Sequence, residues 1–257
     1  MTDHDPKTKA DARRGLARLA GAGGPVSKPA DAAAPAPSAR REIDAFLEAT
    51  RSVAPPAAEA RGRLIFALDA TMSRQPTWDL ACALQAEMFE AAADVGGLSV
   101  QLVYFRGLGE TRSSKWVADA RRLGALMERI DCRGGRTQIG KVLTHAKREA
   151  AERPVAAMVY VGDCMEEDVD DLCAKAGELA LRGVKAFMFH EGRDPAAARA
   201  FREIARLTGG VYLPFDAGAA DELRALLGAV AAYAAGGRKA LERAGTPAAR
   251  RLLADLG

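Results

Sequence analysis

The side chains best suited to do chemistry lie in a five-residue segment directly after an apolar run. The run is 64–68, and the segment is Asp69-Ala70-Thr71-Met72-Ser73. A strand that enters a turn can direct alternate side chains, here Asp69, Thr71 and Ser73, toward one point. Carboxylate and hydroxyl oxygens suit a hard cation such as Mg²⁺. The segment therefore predicts a divalent-metal site at the end of a buried strand, unless its Asp or Ser only caps the next helix.

Two further segments carry side chains of the same kind. Gly134-Gly135-Arg136-Thr137 precedes a helical pattern and places a hydroxyl at the end of a loop. A second apolar run, 155–161, is followed by Gly162 and Asp163, which places a carboxylate at the tip of another strand. Loops from the carboxyl ends of parallel strands converge at one edge of a sheet. We therefore expect five side chains around one centre: Asp69, Thr71, Ser73, Thr137 and Asp163.

Together the three segments resemble the von Willebrand factor A (VWA) family and its metal-ion-dependent adhesion site (MIDAS). The family pattern is Asp-x-Ser-x-Ser, then a Thr after a Gly-rich turn, then an Asp that ends a central strand. The resemblance covers about residues 61–236 and is to the intracellular bacterial type of the family. Two positions depart from the pattern, since Thr71 replaces the first Ser and Cys164 stands where a Gly often follows the last Asp.

The resemblance implies a role for each ligand. Thr71 and Ser73 are expected to bind the ion through their hydroxyls, and Thr137 directly or through water. Asp69 and Asp163 are expected mostly to hold coordinated waters. The ion is expected to be Mg²⁺, with Mn²⁺ or Ca²⁺ as other possibilities.

In this family an acidic residue of a partner protein completes the coordination. The resemblance therefore implies a protein-binding adaptor that is not an enzyme and that works in a cytoplasmic complex, with an AAA+ ATPase as one candidate partner. Arg74 and Arg136 flank the hydroxyl ligands and are candidates to bind the partner's carboxylate, although a solvated surface role is equally open. A scaffold of the same fold without a metal is the alternative.

Other residues near the same edge are also candidates for function. Glu166, Glu167 and Asp168 are interpreted as the acidic first turn of a helix, or otherwise as an internal acid that competes for the metal. Cys164 and His190 are a conceivable thiol and imidazole pair, but the sequence has no nucleophile elbow. A phosphatase of the haloacid dehalogenase type needs a second carboxylate where Thr71 stands, and no phosphate-binding loop is present.

Charge and cysteine usage limit the choice of class. Through Arg41 the chain has eight Lys or Arg and four Asp or Glu, which gives +4, whereas the whole chain carries +3. The basic charge therefore belongs to the N-terminal tail and does not indicate nucleic-acid binding. The four cysteines match no zinc or redox spacing, and no apolar stretch is long enough to span a bilayer. These features favour a reduced, cytoplasmic protein without a membrane partner.

The predicted organisation has four parts. Residues 1–40 form a disordered basic tail rich in Ala and Pro, 41–60 a helix and linker, 61–236 the VWA domain, and 237–257 a helical extension. Within 61–236, strand-length apolar runs alternate with amphipathic helical stretches, which predicts a Rossmann-like α/β fold with an open, mostly parallel sheet covered by helices on both faces. Strands are predicted at 64–69, 99–105, 155–162, 184–190 and 211–213, with an antiparallel edge strand in 110–116. Helices are predicted at 77–95, 116–130, 137–152, 169–182, 196–208 and 220–233.

Overall fold

A computed structural model of the chain describes residues 62–72, 75–93, 97–216 and 219–256. The predicted tail at 1–40 and the predicted helix and linker at 41–60 lie outside the described residues. Ser73 and Arg74 also lie outside the described residues, and their roles stay predictions.

Six strands of the described chain form one sheet in the order β3-β2-β1-β4-β5-β6. All neighbouring strands are parallel except β3, which is antiparallel to β2. The predicted α/β class is confirmed, and the predicted edge strand is present but shorter. The bounds are β1 Gly62–Asp69, β2 Leu98–Arg106, β3 Glu110–Ser113, β4 Ala157–Gly162, β5 Lys185–Glu191 and β6 Val211–Phe215.

Helices connect these strands and follow the last of them. Their bounds are α1 Gln75–Ala93, α2 Ala120–Met127, α3 Ile139–Glu152, α4 Val169–Ala180, α5 Pro195–Thr208, α6 Ala220–Ala244 and α7 Pro247–Asp255. The prediction that a helix begins at Trp116 is wrong. Val117 forms a β-bridge with Val100, and the side chain of Asp119 caps the helix by accepting from the backbone N–H of Arg122. The start of α2 is therefore delayed by sheet pairing and by a capping residue.

The central strand β1 is buried on both faces, which is why it reads as a continuous apolar run. Leu64, Phe66 and Leu68 belong to the core layer that includes residues of α1, α6 and α7. Ile65 and Ala67 belong to the opposite layer, which includes residues of α3, α4 and α5. Because β1 is paired with β2 on one side and with β4 on the other, the position of its last residue is strongly determined.

The C-terminal extension packs on the domain. Helix α6 continues past a kink at Gly236 and Gly237, whose backbone angles are not helical. Helix α7 then places Ala249 and Leu252, both fully buried, in the same core layer as Phe66. Every helix within the described residues is too short or too polar to span a lipid bilayer.

Candidate metal centre

Two of the predicted ligands, Asp69 and Asp163, meet at the carboxyl edge of the sheet. Strands β1 and β4 are adjacent and parallel, with Leu68 paired to Val161, so their following residues emerge side by side. One carboxylate oxygen of Asp69, one of Asp163 and the sulfur of Cys164 lie within 4.8 Å of one another. Asp69 is only 2% exposed, whereas Asp163 and Cys164 are half-buried. The cluster is therefore sheltered at its base and reachable from solvent.

Asp69 also determines the turn that follows it. Its Oδ1 accepts a hydrogen bond of 2.8 Å from the backbone N–H of Thr71. This bond from an Asp side chain to the backbone two residues later closes an Asx-type turn. Thr71 is itself buried, at 8% exposure. The predicted ligand Thr71 thus stays at the strand end instead of continuing outward.

The glycine-rich loop reaches the same edge through its backbone. The N–H of Arg133 donates to the carbonyl of Ala70 at 2.9 Å, and the N–H of Arg136 donates to the carbonyl of Gly107 at 3.0 Å. The side chain of Arg136 is exposed, and its predicted contact with a partner stays a prediction.

Thr137, the predicted ligand of this loop, is bonded to the segment that follows β4. Its N–H donates to Oε2 of Glu166 at 3.2 Å, and its Oγ1 accepts from the N–H of Glu166 at 3.0 Å. Glu166 comes three residues after Asp163. The structure therefore brings together the three segments that the sequence singled out. The roles of Asp69, Thr71, Thr137 and Asp163 as ligands stay predictions.

Glu166 and Glu167 do not form the first turn of α4. That turn carries Asp170 and Asp171, and Asp168 caps the helix by accepting from the N–H of Asp171. Glu167 instead accepts from two backbone N–H groups at the start of α3, those of Ile139 at 2.6 Å and Gly140 at 2.9 Å.

Sequence reasoning missed this cap on α3. The residue before the helix, Gln138, makes no side-chain capping bond. The first N–H groups of a helix need acceptors from elsewhere when no local side chain supplies them. A helix start without a capping residue was therefore the signal that a distant acceptor was needed, although the sequence did not identify Glu167 as that acceptor.

Replacing Glu167 with Ala is expected to destabilise the domain by about 1–3 kcal/mol, because two N–H groups of α3 lose their acceptor. Glu167→Gln keeps one acceptor oxygen and should fall between wild type and Ala. Urea denaturation measures both. Glu178→Ala is the control, since it removes an exposed glutamate whose ion pair with Lys147 lies on the surface, and it should change stability little. Equal effects of Glu167→Ala and Glu178→Ala would contradict the role of Glu167 as the cap of α3.

Two titratable groups beside the cluster have shifted pKa values. Burial, the negative charge of Asp163 and a hydrogen bond with Asp163 raise the pKa of the Cys164 thiol to about 12. Burial lowers the pKa of His190, which is 1% exposed. Its Nδ1 lies 2.8 Å from the hydroxyl of Tyr212, and its Nε2 lies 3.3 Å from the carbonyl oxygen of Asp163. The imidazole therefore supports the backbone at Asp163.

Comparison with known proteins rests on structure, because neither a protein-family model nor a curated protein matches the sequence. The VWA domain of SpRpn10 superimposes with a TM-score of 0.50 at 13% identity, covering 62% of this chain and 90% of that one. An aerotolerance-related membrane protein from Bacteroides fragilis gives a TM-score of 0.51 at 18% identity, covering 63% and 94%. The chain has the VWA fold.

A third structure with the same fold contains a metal. Proximal thread matrix protein 1 from the mussel byssus, with a zinc-occupied MIDAS motif, gives a TM-score of 0.54 at 13% identity, covering 74% of this chain and 52% of that one. At these identities the likeness to all three proteins establishes the fold. The chemistry of the site in this VWA fold depends on the residues of this chain.

The donor set in this VWA fold suits a divalent cation. Two carboxylates that approach each other without a cation repel, and Asp69 is almost fully buried. A divalent cation between the two carboxylates offsets both negative charges and so removes their electrostatic repulsion. The threonines 71 and 137 add neutral oxygens in the adjoining segments, as expected for a site that retains water or accepts an outside ligand.

Proposed function

We propose that this chain is a metal-dependent protein-binding domain, in which a divalent cation at the sheet edge receives an acidic residue of a partner protein. The observation that carries the proposal is the convergence of Asp69 and Asp163, from the ends of two parallel strands, beside the backbone-anchored loop of Thr137. The zinc-occupied MIDAS of the mussel thread protein supports metal binding by this fold.

The residues that would hold the cation are of two kinds, charged and neutral. Asp69 and Asp163 supply the negative charge, and the hydroxyls of Thr71, Ser73 and Thr137 supply neutral oxygens. When bound, the cation supplies a positively charged coordination position for a carboxylate. Arg136, exposed on the glycine-rich loop, and Arg74 are proposed to contact the same partner.

The finer parts of the proposal follow from the ligand types and from the family resemblance. Taken by themselves, the carboxylate and hydroxyl oxygens suit Mg²⁺, which is the ion proposed for the contact with the partner. A cytoplasmic setting of bacterial type is proposed from the cysteine usage and from the resemblance. Within it, the partner is proposed to belong to a multiprotein complex, with an AAA+ ATPase as one candidate.

We also propose that the chain is not an enzyme. The ring nitrogens of His190 are directed at Tyr212 and at the carbonyl oxygen of Asp163, so the geometry gives the imidazole no role as a base for the Cys164 thiol. A hydrolase would require this pair to be in hydrogen-bond reach of each other. The arrangement supports binding over catalysis.

Affinity capture with the full chain tests the proposal against a scaffold that needs no metal. Bait protein is incubated with lysate of the source cells in Mg²⁺, then washed with EDTA or with Mg²⁺. A partner that is released by EDTA, recovered after Mg²⁺ is restored and never held by Asp163→Asn would support a metal-bridged contact. Asp194→Asn is the control, because Asn also caps helices and Asp194 caps α5. A partner retained in EDTA and by Asp163→Asn would favour the scaffold and overturn the proposal.

A further inference from the structure

Cys164 introduces sulfur into a cluster otherwise made of oxygen donors. It directly follows Asp163, and its Sγ lies within 4.8 Å of ligand oxygens from both Asp69 and Asp163. The thiol is half-buried and hydrogen-bonds the Asp163 carboxylate, so the sulfur is directed toward the charged centre. The three donors come from two separate strand ends, which makes their meeting a product of the fold.

We infer that Cys164 is a metal ligand of this centre, which therefore binds a thiophilic ion such as Zn²⁺ more tightly than Mg²⁺. The inference rests on the proposed function only in requiring that the two carboxylates hold a cation. It goes further by assigning a ligand outside the carboxylate and hydroxyl pattern, and by stating which ions this ligand selects.

The separation of the donors is compatible with one shared ion. Zinc binds sulfur at about 2.3 Å and carboxylate oxygen at about 2.0–2.2 Å in tetrahedral geometry, so two such donors lie about 3.5 Å apart. The three atoms here lie within 4.8 Å of one another. They need to approach by about 1 Å to share one zinc ion, and side-chain rotation at the half-buried Asp163 and Cys164 can supply that approach.

The chemistry of the donors determines the ion. Thiolate sulfur is a soft ligand that favours Zn²⁺ and similar ions, whereas Mg²⁺ binds oxygen and gains nothing from sulfur. On binding, the S–H bond breaks, the proton passes to water, and a sulfur–metal bond forms with no change of oxidation state. Mg²⁺ is therefore held by the oxygen donors alone, and zinc gains one further bond.

Spectroscopy with Co²⁺ as the probe tests the assignment, because a cobalt–thiolate bond gives a strong charge-transfer absorption in the near ultraviolet. The full chain is titrated with Co²⁺, and then with Zn²⁺ and Mg²⁺ in competition. We expect the band in wild type, its loss in Cys164→Ser, and its retention in Cys173→Ser, which alters a half-buried cysteine on α4. Zinc affinity should fall about tenfold or more in Cys164→Ser, with Mg²⁺ affinity unchanged.

The outcomes distinguish the role of Cys164 as a ligand from the proposed function of the chain. Wild type that binds Mg²⁺ but shows no thiolate band with Co²⁺ overturns the role of Cys164 and leaves the proposed function intact. Wild type that binds none of the three ions overturns both. If Cys164→Ser fails to fold, a variant with Cys82, Cys132 and Cys173 changed to Ser leaves Cys164 as the only thiol of the four in the sequence. A band in that variant supports the assignment, and its absence overturns it.

Discussion

Asp69→Asn is expected to weaken divalent-metal binding by about 100-fold or more, with little harm to the fold. Two unit charges 4 Å apart interact by about 4 kcal/mol near a protein surface. Removing one carboxylate from the site of a divalent cation therefore lowers the binding free energy substantially, even when water replaces part of the lost interaction. The Asn side chain retains an oxygen that can accept from the N–H of Thr71, which Asp69 accepts at 2.8 Å. Isothermal titration with Mg²⁺ and with Zn²⁺ measures the loss of affinity.

Thermal denaturation gives a second readout of the same variant. A ligand at 100 times its dissociation constant stabilises the folded state by about 2.7 kcal/mol. Wild type should therefore gain stability on addition of metal, and Asp69→Asn should not. Without metal the variant should be at least as stable as wild type. Asp69 is only 2% exposed, and its replacement by Asn removes a buried negative charge that lies close to the carboxylate of Asp163.

Asp168→Asn is the matched control for Asp69→Asn. It removes one negative charge from the loop that also carries Asp163, but Asp168 is exposed and caps α4, a role that Asn fills equally well. Metal affinity should stay within a few-fold of wild type. If Asp168→Asn and Asp69→Asn weaken metal binding equally, the effect is general electrostatics, and the assignment of Asp69 to the site is wrong.

Gly135→Ala is expected to destabilise the domain by about 1–3 kcal/mol and to lower metal affinity as well. A Cβ at this position would lie 2.3 Å from the backbone N, 2.4 Å from the carbonyl O and 2.7 Å from the Cα of Gly107. These are backbone atoms, so the clash cannot be relieved by rotating a side chain. The loop must move away from Gly107, and Thr137, two residues later, must move with it.

The neighbouring Gly134→Ala is the control, since a Cβ there meets nothing within 4 Å. It should leave both stability and metal affinity close to wild type. Urea denaturation and isothermal titration measure the two quantities for both variants. Similar behaviour of Gly134→Ala and Gly135→Ala would show that chain flexibility, and not the close approach to Gly107, accounts for the effect.

The order of strands and helices followed from periodicity with few errors. Apolar runs of strand length such as 64–68, alternating with amphipathic stretches of helix length, are typical of a parallel sheet that is covered by helices on both faces. The prediction that a helix begins at Trp116 was wrong because Val117 pairs with Val100 in the sheet. That pairing is a contact between separate segments, and local helical spacing does not encode it.

One part of the candidate site could be predicted from the sequence, and the other part depended on the fold. Residue type and spacing alone placed Asp69 and Asp163 at strand ends, because a strand has a fixed direction and its polar tip is visible in the sequence. Only the tertiary structure brought the Cys164 sulfur within 4.8 Å of both carboxylates and placed Glu167 on the start of α3. Such distances depend on how strands and loops far apart in the chain pack together. The amino-acid types therefore set which donors are available, and the packing of distant strands and loops sets which of those donors meet.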